Sequence, residues 1–220
     1  FTDDPTTIGN TITDETGNGQ DLTVNSVALA TTSGQLGTAI DFTAGAGWLA
    51  SSTWDFSPGS PLNITGSYFM SVLNGEALYQ WGTGASPEII RYEPWYSATN
   101  GRFYFGPTAT WLNRTYLDPT VWHGFATIGT TTAGDNNYVY EDGFLVDEEV
   151  QTINNPSNTS GGFQMGRDGG GGNWQGFVDA LRIATVDRVP AWTRAESINL
   201  GNPEQFYVAR QSQTPNNATS

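Results

Sequence analysis

An all-β domain, built as a two-sheet antiparallel sandwich with one short C-terminal helix, is what this 220-residue sequence predicts. Three observations carry the prediction. Aromatic residues make up 13% of the chain, glycine reaches 27 and charged residues are held to 14%, a balance that suits strands and turns better than helices built on Glu and Lys. Short apolar or alternating runs bounded by Gly, Asn, Asp and Pro recur from one end to the other. Only the segment that begins at Val189-Pro190 spaces its apolar residues as a helix does. The length suits one sandwich over 1–208, followed by a polar, Pro-containing tail over 209–220.

The periodicity places strands over 21–27, 39–42, 66–73, 78–82, 88–92, 102–105, 123–130, 137–141, 163–166 and 177–184. Thr99-Asn100-Gly101 and Glu141-Asp142-Gly143 read as hairpin turns, because Asn-Gly and Asp-Gly tolerate the positive φ that primed turns require. The helix opens with Pro190 at its first position, sets Trp192, Ala195 and Ile198 on one face and ends near Gly201. That face is expected to pack on the sandwich.

Composition excludes several function classes. The formal net charge is −14, which disfavours nucleic acid and anionic membrane surfaces, since phosphate binding needs clustered cations. Lysine is absent: Arg91, Arg102, Arg114, Arg167, Arg182, Arg188, Arg194 and Arg210 account for every basic residue besides His123. Such acidity fits a high-salt (halophilic) origin or an ordinary acidic surface protein. Without cysteine there is neither a disulfide nor a thiolate metal site. No apolar run approaches the ~20 residues of a membrane span. The start at Phe1 reads as a chain cut from a longer polypeptide. Sequons at Asn63, Asn113, Asn158 and Asn217 are candidate glycosylation sites.

Four segments then carry a resemblance. Asp14-Glu15-Thr16-Gly17-Asn18-Gly19-Gln20-Asp21-Leu22 resembles an early "D-x-T/S-G-N-G-x-D-L" turn, and Gly37-Thr38-Ala39-Ile40-Asp41-Phe42 a "G-x-A-L-x-F" strand. Trp122-His123-Gly124-Phe125-Ala126 with 138–146 resembles a "W-H-x-V-A … L-Y-V-D-G-x-L-V" hairpin. Met165-Gly166, Gly176-Phe177-Val178-Asp179-Ala180-Leu181-Arg182-Ile183 and Pro203-Glu204-Gln205-Phe206-Tyr207 resemble a closing "I-G … G-x-I-D-E-V-R-I … P-x-x-F-Y". In this order they are similar to the laminin-G-like domains of the concanavalin A-like jelly-roll superfamily, as found on microbial and viral surface proteins. The resemblance implies a lectin-like jelly roll. The sequence departs from it at Thr43-Ala44-Gly45-Ala46-Gly47-Trp48, where acidic residues are usual, and at Ala180, where Glu is usual.

Asp179 lies inside an apolar strand, where alternation would put it on one face with Leu181 and put Val178 with Ala180 on the other. Two readings follow. Asp179 caps backbone N–H groups of a neighbouring loop, since a buried carboxylate needs such partners. Alternatively, Asp179 and Asp14 supply carboxylates to a structural Ca²⁺, with backbone carbonyls completing the oxygen shell.

Nothing in the chain assembles a catalytic set. His123 is the only histidine and reads as structural. The carboxylate pairs Glu141/Asp142 and Glu148/Glu149 read as solvated turn residues rather than a glycosidase pair. The glycine run at 169–172 lacks the Lys and helix of a phosphate loop. The richest surface feature is aromatic. Arg91, Tyr92, Trp95, Tyr96, Tyr104 and Trp111 crowd around Pro94, and the proline is expected to hold part of this segment in an exposed loop. Some of these rings belong to a sandwich core; the others form a platform for sugar C–H faces, with Arg as hydroxyl partner. The reading is therefore a non-catalytic extracellular module on a cell, filament or virion surface, binding a glycan or a surface protein by adhesion. The alternative is a structural assembly subunit that self-associates into a homo-oligomer or larger assembly, and a more distant one is a polysaccharide-cleaving jelly roll.

Overall fold

A computed structural model describes residues 3–14, 20–51, 61–73, 75–82, 90–97, 100–106, 108–113, 118–152, 162–167, 171–186 and 188–203. The chain runs through β1 (Thr11–Ile12), β2 (Leu22–Asn25), β3 (Ala30–Ser33), β4 (Thr38–Asp41), β5 (Trp48–Ser51), β6 (Leu62–Met70), β7 (Tyr79–Trp81) and β8 (Ile90–Ser97). It continues through β9 (Asn100–Phe105), β10 (Thr108–Asn113), β11 (His123–Gly129), β12 (Asn136–Glu141), β13 (Phe144–Val150), β14 (Phe163–Met165), β15 (Gly176–Ala184) and α1 (Pro190–Gly201).

The strands form two sheets. One has eight strands in the order β1-β2-β5-β14-β7-β8-β9-β10, the other seven in the order β13-β12-β11-β6-β15-β4-β3. Neighbours within the sheets pair antiparallel, so the predicted sandwich and its single C-terminal helix are what the chain forms. Alternation drives the packing: β9 buries Gly101, Phe103 and Phe105 while Asn100, Arg102 and Tyr104 stay half-buried. Tyr68, Tyr79, Trp81, Tyr92, Phe103, Phe105, Phe125 and Phe163 meet between the sheets. There the Tyr92 and Phe125 rings stack with centroids 5.2 Å apart.

Helix α1 lies on the outer face of the seven-stranded sheet, against β11, β6 and β12. Its buried side chains are Thr193, Ser197 and Leu200. This corrects the expected Trp192/Ala195/Ile198 face. Trp192 is 40% exposed beneath the Arg188 guanidinium, 3.8 Å from its ring centroid, whereas Ile198 is half-buried against the β12–β13 turn. The small polar pair Thr193/Ser197 wins the inward face because backbone and side-chain partners wait there. Asn63 Nδ2 donates to Thr193 Oγ1 (3.1 Å), and Ser197 Oγ donates to the Gly124 carbonyl (3.0 Å).

Two further corrections concern strand regularity. Pro94 sits within β8 rather than in an exposed loop, at a register shift where β8 advances from Glu93 to Ser97 while β9 moves only from Arg102 to Asn100. A bulge of this kind is where a strand tolerates proline. Of the expected Thr99-Asn100-Gly101 turn, Asn100 and Gly101 pair in β9 instead, and residue 99 lies outside the described residues. By contrast, Asp142 (φ 50°) and Gly143 (φ 80°) make the predicted tight turn between β12 and β13.

Candidate functional site

On β8 and β9 the core-facing residues Ile90, Tyr92, Phe103 and Phe105 alternate with Arg91, Glu93, Arg102 and Tyr104. Ladder pairing aligns Gln164, Gln80, Arg91 and Tyr104 in one row across β14, β7, β8 and β9, with Glu93 beside Arg102 in the next row. Glu93 is fully buried and forms ion pairs with both Arg91 and Arg102; Arg102 Nη2 lies 3.1 Å from Glu93 Oε1. A buried carboxylate persists only with such partners, so the trio locks its side chains in place. The Arg102 guanidinium also covers the Tyr104 ring at 5.0 Å.

The structure therefore divides the predicted aromatic platform. Arg91 and Tyr104 share the row on the side away from the core, where Arg91 is buried and Tyr104 half-buried, and Trp111 stands opposite Arg102 in the ladder. Trp95 is half-buried and packs on the main core. Tyr92 is not available to a ligand: it is buried among Tyr68, Tyr79 and Phe125, and its phenol donates to Glu141. The side chains of Tyr96 and Trp111 lie outside the described residues.

Asp179 answers to the tertiary structure. Between Asp179 and Arg182, β15 carries one residue more than its partner β6, which spans Ser67 to Thr65, and Ala180 takes φ 53°. This bulge breaks the expected alternation of 178–181 and re-aims the carboxylate. Asp179 Oδ2 accepts the Leu36 N–H (2.7 Å) in the β3–β4 turn, in space left by the absent side chain of Gly34. Asp14 Oδ2 accepts the Gln20 N–H (3.3 Å), and the Asp14 N–H donates to Asp21 Oδ1 (2.8 Å). Each carboxylate thus satisfies a backbone amide of a different turn, a capping arrangement. Among the described residues no three His, Cys, Asp or Glu side chains gather as metal ligands. The Thr16-Gly17-Asn18-Gly19 segment and the 168–170 part of the glycine run lie outside the described residues.

The expectation that Glu141 is a solvated turn residue is overturned. It is buried, and both Tyr68 Oη (2.9 Å) and Tyr92 Oη donate to its Oε1. Alternation along β12 sets it on the same inward side as Val139, and the turn begins only at Asp142. Asp142 in turn accepts the Gly124 N–H (2.8 Å) and faces His123 Nδ1 (2.8 Å). Glu148 and Glu149 are exposed, but on strand β13 rather than in a loop.

His123 Nε2 lies 2.8 Å from the Asp118 carbonyl, which only accepts, so both ring nitrogens face acceptors. Burial opposes the charged ring, but the bonds to Asp142 and Asp118 and the nearby Glu141 outweigh it and raise the pKa above its usual 6.5. A raised folded-state pKa adds stability that is complete below the unfolded value and disappears as pH climbs through the folded one. The stability lost on His123→Asn is expected to shrink as pH rises from about 6 to above 8. Thermal melts of both proteins across that range check this, and a pH-independent difference would contradict it.

The sequons divide as well. Asn63 is 3% exposed and held beneath α1 by Thr193, so the folded protein leaves no room for a glycan there. The Asn113 side chain and residues Asn158 and Asn217 lie outside the described residues.

No protein-family model matches the chain, and no curated protein matches it significantly. Solved structures do. Domain 4 of AbnA, a GH43 extracellular arabinanase from Geobacillus stearothermophilus, in complex with arabinotriose, superposes with a TM-score of 0.65 at 16% identity, covering 90% of this chain and 93% of that one. The binding domain of Paraclostridial mosquitocidal protein 1 gives a TM-score of 0.62 at 15% identity; 82% of this chain covers 48% of that one, about half its length. The Ruminococcus gnavus IT-sialidase CBM40 bound to α2,3-sialyllactose gives 0.51 at 12% identity, covering 63% and 83%. The chain therefore has the two-sheet β-sandwich fold of these domains.

Proposed function

We propose that this chain is a non-catalytic glycan-recognition module acting outside the cell. The observation that carries the reading is the pair of half-buried residues Arg102 and Tyr104, held on the side of the sheet away from the core by buried Glu93 and buried Arg91. Guanidinium donors beside an aromatic face, held in advance by ion pairs, suit sugar hydroxyls and ring C–H faces. The likeness across nearly all of both chains to an arabinanase domain solved with arabinotriose supports the same reading. So does the placement of the carboxylates: Glu141 faces core phenols, whereas a glycosidase pair must flank one cleft. No helix among the described residues is long and apolar enough to cross a membrane.

A glycan array followed by titration calorimetry tests the proposal. Tyr104→Ala is expected to weaken binding by about tenfold while the protein stays folded. Silence on arrays that include arabinan fragments, combined with concentration-dependent self-association, would instead favour the assembly-subunit reading. Ca²⁺ shared by Asp14 and Asp179 is a separate proposal. It requires that EDTA lower the melting temperature and that Asp179→Asn abolish this response, whereas a cap loses stability with or without chelator.

A further inference from the structure

The tip of the β12–β13 hairpin and the first turns of α1 enclose an open cleft of about 450 Å³ that no sequence motif announced. Its walls include Tyr140, Phe144 and Leu145 from the hairpin and Pro190 and Arg194 from the helix. The turn and helix are fastened together. Gly143 N–H donates to Ser197 Oγ (3.2 Å), Arg194 Nε donates to the Gly143 carbonyl (2.7 Å), and a Cβ on Gly143 would stand 1.9 Å from Ile198 Cγ1. The cleft is therefore preformed. Phe144 is 70% exposed and Leu145 48%, while Tyr140 beneath them is 5% exposed. Burial raises the Tyr140 phenol pKa, as do Tyr138 and Glu148, against the pull of Arg194.

Arg194 is the informative residue. Its neighbour on the helix, Glu196, is taken by Arg182 (2.9 Å), and among the described residues no carboxylate forms an ion pair with Arg194. In a chain with 22 acidic residues and only eight arginines, a guanidinium at the mouth of an aromatic cleft without such a partner points to an anion brought by the ligand. The apolar wall asks for a flat, ring-shaped body. Glu148, close enough to act on Tyr140, and the overall −14 charge disfavour a polyanion.

Building on the glycan-binding reading, we propose that this cleft holds the terminal, carboxylate-bearing ring of an acidic saccharide, with the ring against Phe144 and Tyr140 and the carboxylate on Arg194. The site is separate from the Arg91/Arg102/Tyr104 array.

The test titrates the full chain, labelled for NMR, with methyl glucuronide and with methyl glucoside. Glucuronide is expected to shift the amides of residues 143–145 and 191–194, and glucoside to bind about tenfold more weakly or not at all. Arg194→Gln should remove the preference for the acid, and Phe144→Ala should weaken both sugars, with melting temperatures close to the parent's. Glucuronide shifts that miss the cleft, or an affinity untouched by Arg194→Gln, would overturn the proposal. So would binding of a peptide C-terminal carboxylate in the cleft with none of glucuronide. If neutral glycans still bind through Tyr104 while the cleft stays silent, the cleft proposal fails and the glycan reading stands; if no saccharide binds anywhere, both fail.

Discussion

Gly124→Ala is expected to unseat helix α1 and to lower stability by about 3 kcal/mol or more. A Cβ at Gly124 would lie 2.2 Å from both the Gly201 N and the Ser197 carbonyl oxygen, and both atoms belong to the helix backbone. Neither can rotate away as a side-chain tip would. The helix must move outward as a body. That movement would stretch the Ser197 Oγ bond to the Gly124 carbonyl and the Gly143 N–H bond to Ser197, and uncover Asn63 and Thr193. For a domain of this size, 3 kcal/mol lowers the melting temperature by roughly 6–12 °C. Gly134→Ala is the control. It has positive φ (98°) but nothing within 4 Å of the added carbon, so only backbone strain of about 1 kcal/mol is expected. Equal losses in thermal and urea unfolding for the two variants would show that close helix–strand approach is not what Gly124 provides.

Glu141→Ala should cost about 3 kcal/mol, because it withdraws the acceptor to which two buried phenols donate and opens a void between the sheets. Tyr68→Phe and Tyr92→Phe each remove one donor and leave the carboxylate, with an expected loss of about 1–2 kcal/mol apiece. Double-mutant cycles make the claim specific. Each phenol paired with Glu141 should show a coupling of at least about 0.5 kcal/mol, since the groups are in direct contact. Additive losses would mean that the hydrogen bonds matter less than the packing of the rings. Retention of sugar binding by folded Glu141→Gln would further support a structural role for this carboxylate.

Much of the sandwich was legible because alternation is a local property. The runs that became β7, β9 and β14 carry apolar residues on every second position, and burial follows that pattern in β9 and β14; the short apolar runs of β11, β12 and β15, bounded by turn residues, marked those strands without strict alternation. Strand β13 was only partly legible. It lies at a sheet edge, its residues Phe144, Leu145, Glu148, Glu149 and Val150 are exposed, and only Val146 of its side chains packs on the main core, too little to write a period into its sequence. Strand β3 is Ala30-Thr31-Thr32-Ser33 and carries no large apolar residue to set a period. Proline at position 94 misled for a different reason: its effect depends on whether the strand bulges there, and cross-strand register decides that.

The candidate sites divide along the same line. Composition and turn chemistry by themselves determined an acidic all-β domain, the Asp142-Gly143 hairpin turn and the Pro190 helix start. The same sequence marked Arg91 and Tyr104 as candidate ligand groups. Only the tertiary structure decided that Tyr92 points inward to Glu141, that Asp179 turns through a bulge to the Leu36 amide, and that Asn63 lies beneath a helix 130 residues later in the chain. It also decided that Arg194 and Phe144 border one cleft. The physical reason is that a residue's period names the face it occupies, whereas its partners come from strands and turns distant in sequence. Their positions follow from packing two twisted sheets and a helix together, and no local pattern encodes them.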